Sequence, residues 1–289
     1  YVVTIPQTGK TTTISVADAS SAEFPSIKLT ELGGEFPSWE ANGQKVHFSL
    51  GAAHFVYDLN KSKSLDDSLK LAKKLAEQTK STDSTKKATA KKEDPTYKPQ
   101  ENWVKVFYKK DIPSSAILLK GARIITMKGD EVINGDVLIV NNRIQSVGKG
   151  IKSPAGAKVI DVAGKTIIPG FVDVHSHMWP SWGIHKTQVW IYAANLAYGV
   201  TTTRDPQTAT TDVLTYSDMV EAGQIMGPRV YSTGPGVGYW FYNVKDSAQA
   251  ENILKQYSKY YNTQYIKMYL TGNRQTRQWI INAARNQKL

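Results

Sequence analysis

His175 and His177 are the residues whose types and spacing point most directly to chemistry. They lie in the run VIDVAGKTIIPGFVDVHSHMWP, residues 159–180. A neutral imidazole offers a lone pair that zinc and neighbouring metals accept readily, so two imidazoles on one face of a strand can converge on one ion. Residues 171–178 are short, apolar and rich in β-branched side chains, and Pro169-Gly170 punctuates their start, so the pattern predicts a buried strand. Side chains alternate along a strand, which puts Asp173, His175 and His177 on one face and Val172, Val174 and Ser176 on the other. Met178, Trp179 and Pro180 then leave the strand, so both histidines fall at its carboxyl end, the end that carries active sites in parallel α/β barrels. The same residues also suit two histidines that end a polar strand and are satisfied by hydrogen bonds. A bare His-x-His does not separate the two readings.

The longer run over residues 164–177, G-K-x-I-x-P-G-F-V-D-x-H-x-H, resembles the amidohydrolase superfamily of metal-dependent (β/α)8-barrel hydrolases. The resemblance implies that His175 and His177 ligate a divalent metal, zinc foremost, as one ion or two. Downstream the pattern alternates strand and helix. Strands are predicted over 171–178, 200–204, 229–233 and 265–270, and helices over 186–198, 211–222, 247–260 and 276–285. Gly199 and Ala222-Gly223 end the first two helices, and Asp246-Ser247 caps the third. Apolar strands alternating with helices predict a parallel sheet. The fold class expected over residues 169–289 is the first half of a TIM-like α/β barrel, four strand–helix units of eight.

Lys267 lies mid-strand in Y-I-K-M-Y, with Tyr265 and Tyr269 on its face. A lysine in a buried strand needs a partner, and a carboxylate such as Asp173 or Asp205 would serve. The family resemblance implies another role, a metal ligand. Carbon dioxide converts the amine to a carbamate, whose anionic oxygens bridge two ions as an ammonium cannot. The stretch ANLAYGVTTTRDP, residues 194–206, resembles members fused to a TolB-like β-propeller. Thr203-Arg204-Asp205-Pro206 and Gly234-Pro235-Gly236 close the second and third strands at the expected catalytic mouth. Asp205 there either orients a ligand from behind or pairs with Arg204. Tyr239, Trp240, Phe241 and Tyr242 read as a substrate wall or a domain contact. Asp173, Arg204, Asp205, Tyr239 and Trp240 are therefore expected behind the ligands or against the substrate. His185 reads as a loop histidine.

The family takes two further histidines and a general-base Asp from later strands, and this chain contains none of these positions. The polypeptide alone is expected to bind metal weakly and not to turn over. The implied reaction is hydrolysis of a C–N bond in a cyclic amide, an N-acyl compound or a dipeptide by metal-bound hydroxide. The competing class is a non-enzymatic propeller-and-barrel scaffold.

The remaining composition sets bounds. With 289 residues the chain is long enough for two or three cores, and no run is apolar enough to span a membrane. It has no cysteine, which removes thiolate catalysis, zinc–thiolate sites and disulfides. A periplasmic or secreted location is the expectation. The net charge of +11 is concentrated: ten lysines over residues 61–92, against Asp66, Asp67, Glu77 and Asp83, carry +6 of it. No aromatics interleave with them, so no nucleic-acid partner is expected. Residues 65–78 read as a helix and 81–94 as unstructured, within a Lys-rich insert and linker over 61–102. Residues 1–60 read as short strands, over 1–5, 11–16, 45–49 and 54–58, with an Asn42-Gly43 hairpin turn. F-P-S-W-x-x-N-G-x-x-V-x-F-S, from Phe36, resembles one TolB-like blade, with Asn42 where the family has Asp, and His47 and His54 read as ordinary blade residues. Residues 103–168, with strands expected over 103–108, 116–120, 123–127, 135–140, 143–147 and 158–162, resemble the small β-sandwich that precedes the amidohydrolase barrel. A half barrel leaves two parallel edges bare, so the expected partners are the complementary half, or a second copy joined through those edges, besides a small amide or peptide substrate.

Overall fold

The computed structural model describes residues 1–5, 9, 22–79, 95–180, 185–208, 211–238 and 242–289. They group into two compact units: Tyr1–Val106 with Gly238–Gln264 and Leu270–Leu289, and Phe107–Val237 with Tyr265–Tyr269. Among the described residues no helix is long and apolar enough to cross a membrane.

The first unit is built on an antiparallel sheet in the order Glu35–Trp39, Lys45–Leu50, Ala53–Asp58, Gln100–Trp103. Alternation sorts its faces. Val46, Phe48, Leu50, Ala53, Phe55 and Tyr57 are buried, while His47, Ser49, His54 and Val56 take the other face. The predicted Asn42-Gly43 turn is present: Gly43 has φ +67° and its N–H donates to the Glu40 carbonyl. A second tight turn, Gly51-Ala52, sets the register Leu50↔Ala53. The buried face packs on Gln256–Tyr261, the π-helical continuation of the helix Ser247–Lys255. There Tyr260 meets Phe55 at 5.7 Å and lies parallel to Trp103 at 5.6 Å. Each large side chain buried here contributes about 1.5–3 kcal/mol. Gly51 presses so close to this helix that a Cβ would lie 2.1 Å from the Tyr260 carbonyl oxygen.

Two boundaries in this unit move for local reasons. The helix predicted over 65–78 is Leu59–Thr79. It starts earlier because Asp58 Oδ1 accepts from the Asn60 and Lys61 N–H groups, capping a turn that shows no apolar period. The alternating strand expected over 103–108 ends at Trp103. As predicted, Asp246 caps its helix, accepting from Gln249 N at 2.7 Å. At the amino terminus the strand is Val2–Val3, paired with Ser26–Ile27. The strand expected over 11–16 and the segment 81–94 lie outside the described residues.

The second unit opens with a five-stranded mixed sheet: Lys158–Asp161, Ala116–Ile125, Val132–Val140, Arg143–Gly148, with Thr166–Ile167 beside Ala116–Ile125. The two strands expected over 116–120 and 123–127 are one strand, bulged between Leu119 and Ala122. Gly121 sits at the bulge with φ +83°, and Asp136 ties it down by accepting from Gly121 N and Ile151 N. Ala122, Ile124 and Val137 form its core. A second layer that would make this sheet a sandwich is not among the described residues.

Strand–helix alternation follows as predicted, but over fewer strands. Phe171–Asp173, Val200–Asp205 and Arg229–Ser232 make a three-stranded parallel sheet. Helices Trp190–Ala197 and Asp212–Glu221 connect them. Met178, Val189, Tyr192, Val213, Tyr216, Ile225 and Val230 form the core beneath. Gly199, at φ +78°, and Gly223, at φ +72°, follow the helices as expected. The fourth strand, expected over 265–270, is only Met268–Tyr269 and does not pair with Arg229–Ser232. Leu270 turns left-handed at φ +47°, which ends the extended run. The edges of the parallel sheet are thus Phe171–Asp173 and Arg229–Ser232.

Candidate metal centre

The strand that leads to the histidines is shorter than its sequence predicts. It ends at Asp173, whose Oδ1 accepts from His175 N at 3.0 Å. This Asx turn takes the chain out of the extended conformation, so period-two alternation does not carry His175 and His177 to one face of a strand. They lie instead on the segment that leaves it. Ser176 N still hooks onto the Arg204 carbonyl at 2.9 Å, and Met178 plugs the core, fully buried. Between these anchors the two imidazoles meet edge to face, ring centres 5.3 Å apart and planes at 80°.

The neighbouring strand end supplies the frame. Asp205 is fully buried, with Oδ2 accepting from Met178 N at 3.1 Å and Oδ1 from Gln207 N at 3.1 Å. Burial pushes its carboxyl up to about 6, and the Met178 and Gln207 N–H groups and His177 hold it back from rising further. His177 Nδ1 lies 3.6 Å from Asp205 Oδ1, too long for a hydrogen bond, and 2.6 Å from the Gln207 carbonyl oxygen. A carbonyl can only accept, so Nδ1 carries the proton and donates it. In the neutral ring Nε2 is then a bare lone pair. Gln207 is held in turn by its bond to Asp205 and by the neighbouring loop, where Thr233 Oγ1 donates to Pro206 O at 2.7 Å and Thr208 N to Gly234 O at 3.2 Å.

The other predicted residues divide. Asp205 pairs with the histidine loop and not with Arg204, whose guanidinium lies 4.2 Å over the Tyr265 ring. Asp173 shapes the turn before His175. Lys267 is half-buried, with Nζ 5.8 Å from the Tyr269 ring centre, its carbonyl accepting from Val237 N at 2.7 Å. It makes no hydrogen bond to either histidine or to Asp173 or Asp205. His185 sits 3.6 Å from Asp212 and packs on Tyr216. Tyr239 and Trp240 lie outside the described residues, as does Phe241. Gln207 escaped the sequence reading, since its backbone oxygen does the work. The signal was positional: it follows Arg204-Asp205-Pro206 at the carboxyl end of a parallel strand.

No protein-family model matches the chain. Over 64 residues, 22% of the chain, it is 45% identical to a dihydroorotase of Geotalea daltonii, and the match covers 15% of that protein. Over 64 residues it is 44% identical to dihydropyrimidinase-related protein 5 of Homo sapiens, 22% of this chain and 11% of that one. Over this stretch the chain is similar to members of the amidohydrolase superfamily. Its match spans only a small part of each of these relatives. Among solved structures, an alignment with molinate hydrolase covers 63% of this chain and 53% of that one, at 17% identity and a TM-score of 0.49. A Xaa-Pro dipeptidase aligns over 60% and 54%, at 21% identity and a TM-score of 0.47. Neither structural likeness bears on the reading of this site.

Amidohydrolases generally use divalent metals. The residues present fit part of such a site. One imidazole, His177, has its tautomer fixed by a carbonyl, the arrangement that metal-bound histidines favour. A second stands beside it. Among the described residues no group of three or more His, Asp or Glu side chains is gathered for a metal.

Proposed function

We propose that this chain carries the amino-terminal metal ligands of a hydrolase acting on C–N bonds in cyclic amides, N-acyl compounds or dipeptides. The observation that carries the reading is the His177 tether: Nδ1 donates to Gln207 O, leaving Nε2 free beside His175. These two rings would hold a divalent ion, zinc foremost, which when bound supplies an activated water and polarises the scissile carbonyl. The chain's own contribution is positional. Asp205 fixes the loop through Met178 N and Gln207 N, and the Asp173 turn aims His175 outward. Lys267 is the third ligand in this reading, as a carbamate, and Arg204, Tyr239 and Trp240 line the substrate side. The remaining ligands and the general base come from beyond these residues, in the second half of a barrel that the parallel sheet begins, or the chain self-associates through its edges. The sheet Glu35–Trp103 is one blade of a propeller fused ahead of it.

Elemental analysis of protein purified without chelator tests the site. Wild type should carry zinc or a related ion, and His175→Ala/His177→Ala should lose nearly all of it. Equal metal in both would remove the basis of the proposal. In the complete enzyme, Lys267→Ala should lose metal and activity together, with partial rescue by short carboxylic acids. Full activity in that variant would make Lys267 structural.

A further inference from the structure

His47 and His54 are a second imidazole pair, remote in sequence from the first, and their geometry has its own chemistry. They stand on adjacent antiparallel strands, on the face opposite the buried one, where the register sets His47 against Val56 and Ser49 against His54. His47 Nδ1 and His54 Nε2 are 3.0 Å apart. The ring centres are 5.2 Å apart and the planes only 15° from parallel. That centre distance is close to the nitrogen separation plus two ring radii, the most that the separation allows. The rings therefore lie edge to edge in nearly one plane, joined by an N–H···N hydrogen bond, rather than face to face. One ring donates and the other accepts, so two nitrogen ligands already point into a common space.

We propose that His47 and His54 form a two-imidazole site for a tetragonal divalent cation, copper(II) or nickel(II). Two nitrogens 3.0 Å apart, each at the ~2.0–2.1 Å typical of metal–imidazole bonds, subtend roughly 90° at the ion. That is the angle between neighbouring positions of a square-planar or tetragonal ion and is narrower than a tetrahedral ion takes, which sets copper(II) and nickel(II) above zinc. On binding, the shared hydrogen bond breaks. The proton of the donor ring moves to its own outer nitrogen, so both inner nitrogens present lone pairs and no net proton is released. The rings tilt until those lone pairs converge. Both side chains are only half-buried, and Ser38 opposite His47, with Ser49 and Asn102 opposite His54, offer oxygens beside water for the remaining positions.

Copper(II) chloride titrated into the tag-free His175→Ala/His177→Ala chain tests this apart from the centre proposed above. The expected result is a single bound ion whose electron paramagnetic resonance spectrum shows nitrogen coupling. Adding His47→Ala or His54→Ala should weaken binding on the order of tenfold or more, with circular dichroism unchanged. Unchanged affinity and spectrum in both variants would overturn the proposal. The unmutated chain gives a check independent of variant folding. Substoichiometric copper should broaden the His47 and His54 ring signals in nuclear magnetic resonance first. If they stay sharp while copper binds at the amino terminus or elsewhere, the site does not exist.

Discussion

The two histidine pairs of this chain have similar ring separations and opposite wiring. His175 and His177 sit 5.3 Å apart edge to face, and His177 donates away from its neighbour, to a backbone carbonyl. His47 and His54 sit 5.2 Å apart edge to edge and bond to one another. A neutral ring tethered outward presents the lone pair of its far nitrogen without breaking that tether. A ring bonded to its neighbour must surrender that bond before its inner nitrogen can ligate. The first pair is preorganised by a buried frame, and the second is a closed clasp on an open sheet face. Proximity of two histidines therefore says little until the partner of each nitrogen is known.

The frame is where the comparison breaks most visibly. Asp205→Ala leaves the buried Met178 and Gln207 N–H groups without acceptors, partly offset by the removal of a desolvated carboxylate. Denaturant unfolding should show a loss of about 2–4 kcal/mol. Asp205→Asn keeps one acceptor and should lose about half as much. The His47–His54 ring signals should not move in either variant. If they move as far as those of His177, the frame is not local to the first pair.

A gentler perturbation sharpens the contrast. A Cβ at Gly236 would lie 2.6 Å from Gln207 Cδ, so Gly236→Ala must push that flexible side chain aside. The cost should be about 1–2 kcal/mol, with a shift of the His177 ring signals as its tether adjusts. An unmoved His177 would mean that the Gln207 backbone is held independently of its side chain. The smallest effect belongs to the clasp. His47→Ala removes one half-exposed hydrogen bond and leaves His54 able to find water, so stability should fall by less than about 1 kcal/mol. A loss as large as that of Asp205→Ala would make the second pair a structural element as much as the first pair's frame is.

Much of the local structure was legible because its causes are local. Asn42-Gly43 named its turn, Asp246 named its cap, and Gly199 and Gly223 named two helix ends. The histidine pair itself stood out through the run beginning at Gly164. Its geometry did not, because Asp173 can sit in a strand or fold back on His175 N, and composition favours neither. Gln207 O was invisible for a deeper reason: every residue has a carbonyl, and only tertiary structure chooses one. Lys267 illustrates the same limit. Its apolar neighbours predict a strand, yet Leu270 adopts a left-handed turn and the strand dwindles to two residues. The His47–His54 clasp was readable in principle, since a two-residue turn at Gly51-Ala52 fixes which residues lie diagonally across the hairpin.

The seat of that hairpin also fixes an order of events during synthesis. The strands Lys45–Leu50 and Ala53–Asp58 close locally as soon as they emerge from the ribosome, but the Tyr260 carbonyl that Gly51 presses against emerges far later. Until then Phe55, with Phe48 stacked on it, lacks the Tyr260 ring that it meets, and a nascent chain with a closed but partly uncovered apolar hairpin invites association with its neighbours on the same message. Ribosome-arrested chains stopped before Ser247 should therefore recruit more chaperone to this hairpin than chains arrested once Tyr261 has cleared the exit tunnel. If both are held alike, covering the hairpin is not what frees the chain.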